Sequence, residues 1–301
     1  MSKYWDTTIE LVDINKMRPG KRKLRFTKMQ ACGNDYIYFN CMDGKQITDP
    51  ESLSIKLSDR HLGVGGHGVV LIERSEKADA KISIYNMDGT FGGVGGNALC
   101  CVCKYLCDEG IVRKPEVLIE DNGFFRRVQA VTTGGIVTKI IADMGEVCFC
   151  PECIPTSIEG DKIINKPAVV GGKKYNVTCL SIGNSHCVVF SDDVHTLDLQ
   201  DIGPKFESDP IFPERVNAEF VQVLDETSLM VRVWELGNGE TQSCGTCACA
   251  AAIAAVENGH CKKDTDITVK MQGGDVVIHY TGERVFMTGT ATKCFDGVIE
   301  I

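Results

Sequence analysis

The chain has 301 residues, 43% hydrophobic and 24% charged, with a formal net charge of −9; this is enough apolar content for a well-buried core and excludes global disorder. An acidic chain without a basic patch interleaved with aromatics argues against nucleic acid or an anionic membrane as a main partner. The apolar stretches are strand-length or lie in one Ala-rich helix, and residues 1–23 are polar without the apolar run of an export signal, so they read as an N-terminal extension and the chain as cytoplasmic.

Residues 24–29 are expected as a strand, 31–35 as a turn and 36–39 as a second strand, on their aromatic and β-branched content. A Gly-rich loop follows at 63–68; it lacks the Gly-Lys-Ser/Thr ending of a phosphate loop, so no nucleotide is expected there. Strands are expected at 69–73 and 80–85, the second ending in the turn signal Asn86-Met87-Asp88-Gly89. Residues 97–109 read as a helix stopped by Gly110. Further on, the order repeats: a strand at 177–180, the loop Ser181-Ile182-Gly183-Asn184-Ser185-His186, a strand at 187–190, strands at 219–224 and 229–235, and a helix at 245–258 stopped by Gly259. A doubled order of this kind predicts an α/β (α+β) fold of two homologous halves whose helix starts face each other across a ligand.

The chemistry concentrates at the second helix start, Ser243-Cys244-Gly245-Thr246-Cys247. Unpaired N–H groups and the positive end of the helix dipole there stabilise a thiolate and bind a carboxylate, so Cys244 is the expected reactive thiol. Gly95-Gly96-Asn97 has the same loop-to-helix shape, with Gly95 standing where the other start has Cys244. All sixteen cysteines are expected to be reduced thiols, as suits a cytoplasmic chain with no export signal. Cys148, Cys150 and Cys153, and the pair Cys244-x-x-Cys247, have ligand-like spacing, but neither has a matched second pair, so no metal is expected. Cys100, Cys103 and Cys107 fall on one helix as small apolar groups.

In order and spacing, Met29-Gln30-Ala31-Cys32-Gly33-Asn34-Asp35-Tyr36, Asp59-Arg60-His61-Leu62-Gly63-Val64-Gly65, Tyr85-Asn86-Met87-Asp88-Gly89, Gly183-Asn184-Ser185-His186, Asn217-Ala218-Glu219-Phe220-Val221 and Trp234-Glu235-Leu236-Gly237-Asn238-Gly239-Glu240-Thr241 with Cys244-Gly245-Thr246 resemble the diaminopimelate epimerase family. The resemblance runs from Leu24 to Ile301. It implies two pseudo-symmetric halves, each a curved mixed sheet wrapped round a central helix, with the active site in the cleft between them. The expected boundaries are 24–143 plus 285–301 for one half and 144–284 for the other.

The resemblance also implies a cofactor-independent epimerase or racemase in which two cysteines flank the α-carbon of an amino acid. One thiolate removes the α-proton and the other thiol returns one from the opposite face, while the α-carboxylate sits between the helix starts. By this carry-over Cys244 is one thiol, and Gly95 occupies the position of the other. Gly96, Asn97, Gly245 and Thr246 cradle the carboxylate, His186 and Glu235 form the polar pair beside the thiols, and Asn34, Asn86, Asn184 and Asn217 hold the substrate. The family's arginine for the distal carboxylate is matched by Leu236, its next arginine by Cys100, and an aspartate of the Gly-rich loop by His67, which could approach the site as a replacement base. Three readings follow: an epimerase, with diaminopimelate as reference substrate, or a racemase of an amino acid without a distal carboxylate; a one-base isomerase; and an amino-acid-binding protein without turnover. The implied partner is a small amino acid, with a homodimer as the expected assembly.

Overall fold

The computed structural model describes residues 23–44, 47–92 and 95–301. The expected extension over 1–23 lies, apart from Lys23, outside the described residues. Among these residues seventeen strands and four α-helices follow in the order β1 (Lys23–Ala31), β2 (Asn34–Asn40), α1 (Pro50–Ser58), β3 (Gly68–Glu73), β4 (Ala80–Asn86), α2 (Gly96–Asp108), β5 (Glu116–Asp121), β6 (Phe124–Thr133), β7 (Ile136–Glu146), β8 (Lys166–Val170), β9 (Lys173–Ser181), β10 (Ser185–Phe190), α3 (Leu199–Glu207), β11 (Asn217–Asp225), β12 (Ser228–Glu235), β13 (Gly239–Thr241), α4 (Gly245–Glu257), β14 (Asp266–Met271), β15 (Gly274–Tyr280), β16 (Arg284–Gly289) and β17 (Thr292–Glu300). Among the described residues no helix is long and apolar enough to cross a membrane.

Strand pairing carries the internal symmetry. From β17 the sheet runs to β1, β2, β3, β4, β5, β6 and β7 with pairings antiparallel, antiparallel, parallel, antiparallel, parallel, antiparallel and antiparallel. From β8 it runs to β9, β10, β11, β12, β14, β15 and β16 with the same succession. The two series meet where β7 pairs antiparallel with β16, so the halves share one hydrogen-bonded sheet. Ion pairs from Arg284 to Asp143 at 2.7 Å and to Glu146 at 3.2 Å brace this seam.

Each series curls round one helix. From Gly245 to Val256 every residue of α4 is buried, and the run of alanines suits that position because a side chain without rotamers lets strands approach on all faces. On α2, Leu99, Cys100, Cys101, Val102 and Cys103 are buried to within 1% of full enclosure, so Cys100 and Cys103 do act as small apolar groups, while Cys107 is only half-buried. Two outer helices were not legible beforehand. α1 is opened by Asp49, whose side chain accepts from the Ser52 N–H at 3.0 Å, with Pro50 in the first turn. α3 carries Pro204 in its interior, and Gly203 lets it lie on the Trp234 ring, since a Cβ at that position would stand 2.2 Å from a ring carbon.

Candidate active site

The two helix starts abut. A Cβ built on Gly245 would lie 3.2 Å from the Gly96 Cα, and Asn97 Nδ2 donates to Ser243 Oγ at 3.2 Å across the junction. Ser243 Oγ in turn donates to the Cys32 carbonyl at 2.6 Å. The seam strands support the junction from below: a Cβ on Gly96 would meet the Met287 methyl at 2.9 Å and the Met144 methyl at 3.2 Å. Glycine at 96 and 245 is therefore a packing requirement, and it leaves the first N–H groups of both helices directed to one locus.

Cys244 is the N-cap of α4, in extended conformation (φ −140°, ψ 122°), and its Sγ accepts from the Cys247 N–H at 3.3 Å. Gly95 is the N-cap of α2 in a matching conformation (φ −104°, ψ 113°), with no side-chain cap. The expectation that these thiols are free is corrected at one pair: Cys244 and Cys247 are joined as a disulfide. The cause is local, because N-cap and third helical residue share the first turn and hold their Cα atoms 5.1 Å apart.

The polar groups form a chain into this locus. Thr246 Oγ1 lies 3.3 Å from Cys244 Sγ and accepts from Asn184 Nδ2 at 3.3 Å. Asn184 Oδ1 faces His186 Nε2 at 2.9 Å, and His186 Nδ1 faces Glu219 Oε1 at 2.6 Å. Asn184 Oδ1 only accepts, so Nε2 carries the proton and Nδ1 is left for Glu219. The hydrogen-bond partner of His186 is thus Glu219, and the side chains of His186 and Glu219 are both fully buried. Glu219 is the functional candidate that sequence reasoning passed over. The available signal was a carboxylate inside the otherwise apolar run Ala218-Glu219-Phe220-Val221, a placement that demands a buried partner.

Burial lifts the Glu219 carboxyl to about 7 against the opposing pull of His186. The folded chain then keeps a proton that the unfolded chain has lost, so the stabilising contribution is complete below the ordinary value of 4.5 and disappears as pH rises towards about 7. The melting temperature of the parent should fall across that window more steeply than that of Glu219→Gln. Thermal unfolding at a series of pH values reads the difference, and parallel curves would show that Glu219 does not titrate there.

Glu235 lies at the end of β12, where burial raises its carboxyl and a hydrogen bond from Thr241 opposes the shift, with His67 and His186 close enough to act on its charge. His67 is bound to Asp35, Nδ1 to Oδ1 at 2.7 Å, and Asp35 also takes Lys28 at 2.6 Å and Arg60 at 2.7 Å. Burial pushes the Asp35 carboxyl up, but hydrogen bonds from His67, Arg60 and Lys28 hold it well below the usual range. Asn34 Oδ1 is buried and has no hydrogen-bond partner among the described residues, as befits an acceptor directed at a ligand donor.

The other asparagines are engaged within the protein. Asn217 Nδ2 donates to the Ser185 carbonyl and its Oδ1 accepts from the Leu236 N–H, both at 3.0 Å. It ties the loop carrying His186 to the turn carrying Leu236. Asn86 Nδ2 donates to Thr90 Oγ1 at 3.0 Å. Leu236 is 39% exposed, and its turn is pinned by Glu207, which accepts from Gly237 N–H at 2.9 Å and from Trp234 Nε1 at 2.6 Å. Among the described residues two groups bring possible metal-ligand atoms within 4.8 Å of one another: His186, Glu219 and Cys247, and Cys148, Cys150 and Cys153. In the first, the sulfur is bonded to Cys244 and the other two are bonded to each other.

The family model described as diaminopimelate epimerase matches residues 26–149 and 178–294. Diaminopimelate epimerase from Acetivibrio thermocellus is 42% identical over 280 residues, covering 92% of this chain and 99% of that protein. The enzyme of the same name from Desulfovibrio desulfuricans is 42% identical over 282 residues, covering 91% and 97%. Among solved structures, a hydroxyproline epimerase from Agrobacterium vitis superposes with a TM-score of 0.65 at 14% identity, covering 95% of this chain and 94% of that one. A PhzF-family phenazine biosynthesis protein from Bacillus anthracis gives a TM-score of 0.66 at 13% identity, covering 93% and 100%. At such identity these last two speak for the fold alone, that of two pseudo-symmetric halves.

Proposed function

Because the chain belongs to the diaminopimelate epimerase family, we propose that it moves a proton at the α-carbon of an amino acid whose carboxylate lies between the starts of α2 and α4, with Cys244 as the base. Family membership makes it an isomerase. The observation that carries the reading is the junction itself, two helix N-termini meeting at Gly96 and Gly245 with a cysteine capping one of them. Loss of the α-proton delocalises charge onto the carboxylate, and the paired N–H groups are in place to receive it without reorganisation. In this reading Cys244 must be a thiolate, so the disulfide to Cys247 is the resting form of an enzyme that works reduced; we propose a cytoplasmic setting, whose reductants open the pair.

The remaining parts take positioning roles. Glu219 fixes the His186 ring, His186 fixes Asn184, and Asn184 holds Thr246 beside the Cys244 sulfur. At the other helix start Gly95 supplies no acid or base, and Glu235 and His67, near enough for the histidine to act on the carboxyl's charge, are the groups we propose for that face. The chemistry calls only on thiolate, amides and these side chains, so we propose no cofactor. On the strand pairing we place β16 with the second half and β17 with the first, so the boundary near the C-terminus falls after β16 rather than before it.

Incubation with amino acids in heavy water, read by mass at Cα and by chiral chromatography, tests the reading. Exchange with inversion supports an epimerase, exchange with retention supports one-base chemistry, and binding without exchange would reject Cys244 as a base. Substrate choice turns on Leu236, which cannot make the paired contact of an arginine with a carboxylate. Leu236→Arg should tighten diaminopimelate binding by at least about a hundredfold, taking two charge-assisted bonds of about 1.5 kcal/mol or more each. Calorimetric titration decides it; unchanged affinity would place the distal end of the ligand elsewhere.

A further inference from the structure

Three thiols outside the cleft converge on the connection that carries the chain from β7 to β8. The Cys148 N–H and carbonyl both pair with Ser181 at 2.8 Å. Phe149 is buried against the core round α2 and α4, and Ile154 is fully buried in the separate core under α3. Between these anchors Pro151 opens a one-turn helix, in which the Cys153 N–H donates to the Cys150 carbonyl at 3.0 Å. The backbone is thereby fixed at both ends and bent in the middle. Cys148 Sγ stands 3.1 Å from Cys150 Sγ, which stands 2.9 Å from Cys153 Sγ. Cys153 is exposed and the other two are half-buried, so solvent ions reach them.

We propose that Cys148, Cys150 and Cys153 form a binding site for a thiophilic d10 divalent cation of the zinc class, held by three thiolates with a fourth ligand from solvent. Zinc–sulfur bonds of about 2.3 Å in tetrahedral geometry set sulfur–sulfur edges of about 3.8 Å. The three sulfurs already lie within 4.8 Å of one another, so side-chain rotation alone opens the contacts to that spacing. Hard cations are excluded, because the cluster offers sulfur and they demand oxygen. On binding, three S–H bonds break, three sulfur–metal bonds form and three protons leave to solvent. The product carries a single negative charge, and Lys162, 5.2 Å from the Phe149 ring centroid, supplies a cation on the same segment. The anchored backbone lowers the ordering cost that a free peptide of this sequence would meet.

The test uses the full chain, reduced and stripped of metal, titrated separately with cadmium and zinc ions. Cadmium should bind at one equivalent with a sulfur-to-metal charge-transfer band, and zinc should displace it. Bound zinc should slow iodoacetamide alkylation of Cys148, Cys150 and Cys153 at least about tenfold, leaving Cys294 unchanged. The band should vanish in Cys153→Ser and persist in Cys247→Ser, which separates this cluster from the buried group at His186. No band, alkylation indifferent to zinc, or a band lost in Cys247→Ser but kept in Cys153→Ser would each overturn the proposal. So would a Cys150–Cys153 disulfide surviving in the reduced chain, read by mass spectrometry. The alkylation measurement needs no variant, so the test stands even where a substitution disturbs folding.

Discussion

Replacing Gly95 by cysteine is expected to raise the rate of inversion at the α-carbon of a true substrate at least about a hundredfold. The backbone at Gly95 is already that of an N-cap in extended conformation, close to the one Cys244 adopts. Among the described residues a Cβ there would meet nothing nearer than the Ala98 Cβ at 3.6 Å, an ordinary contact. The new thiol would stand at the start of α2 as Cys244 stands at the start of α4, on the opposite side of the junction. General acid assistance contributes roughly two to four orders of magnitude, which sets the size of the gain. Chiral chromatography of the parent and Gly95→Cys reactions in heavy water measures it. Fast inversion by the parent, unchanged or slowed by the substitution, would mean that another group, with His67 the candidate, already delivers the second proton.

The second large effect is redox. A sulfur engaged in a disulfide has no thiolate to accept a proton, so the chain with Cys244 joined to Cys247 should show α-proton exchange lower by about two to four orders of magnitude than the reduced chain. A dithiol restores the base by becoming a disulfide itself and delivering two electrons and two protons to the pair. Once reduced, Cys244 should alkylate faster than Cys103 or Cys107, which burial holds as neutral thiols. Cys247→Ser should remove the response to disulfide reagents. Exchange and alkylation indifferent to reductant would show that the pair is not the resting form.

What the sequence made legible was whatever repeated or carried a local signature. The helix expected at 97–109 is Gly96–Asp108, and that expected at 245–258 is Gly245–Glu257; each is announced by glycine on both sides. α3 was hidden because Pro204 in a helix interior forfeits a hydrogen bond, and local propensity cannot see the Trp234 ring that holds it in place. The site divides the same way. Cys244, Gly245 and Thr246 are adjacent in sequence and could be read as a unit. The His186–Glu219 contact joins parallel strands, and which carboxylate meets the imidazole depends on the register of β10 against β11. The resemblance named His186 and Glu235 as the polar pair beside the thiols and left Glu219 aside, whereas the bond made by the Glu235 carboxylate is to Thr241. The disulfide was missed for another reason: the expectation rested on compartment, whereas the pairing follows from two side chains on one helical turn.

The continuous seam between β7 and β16 bears on how the chain folds. Its partners, such as Ile140 with Gly289 and Asp143 with Phe286, are far apart in the chain, so closing it costs loop entropy before any contact repays it. Neither half can finish alone, since each would present a whole strand of unpaired amides and carbonyls to solvent, a template for association with other chains. Folding should therefore be slow and concentration-sensitive until the two edges find each other. Met144 and Met287, carried by those same strands, come to rest beneath the helix starts only at that last step, so the cleft is completed by the event that removes these two edges from solvent.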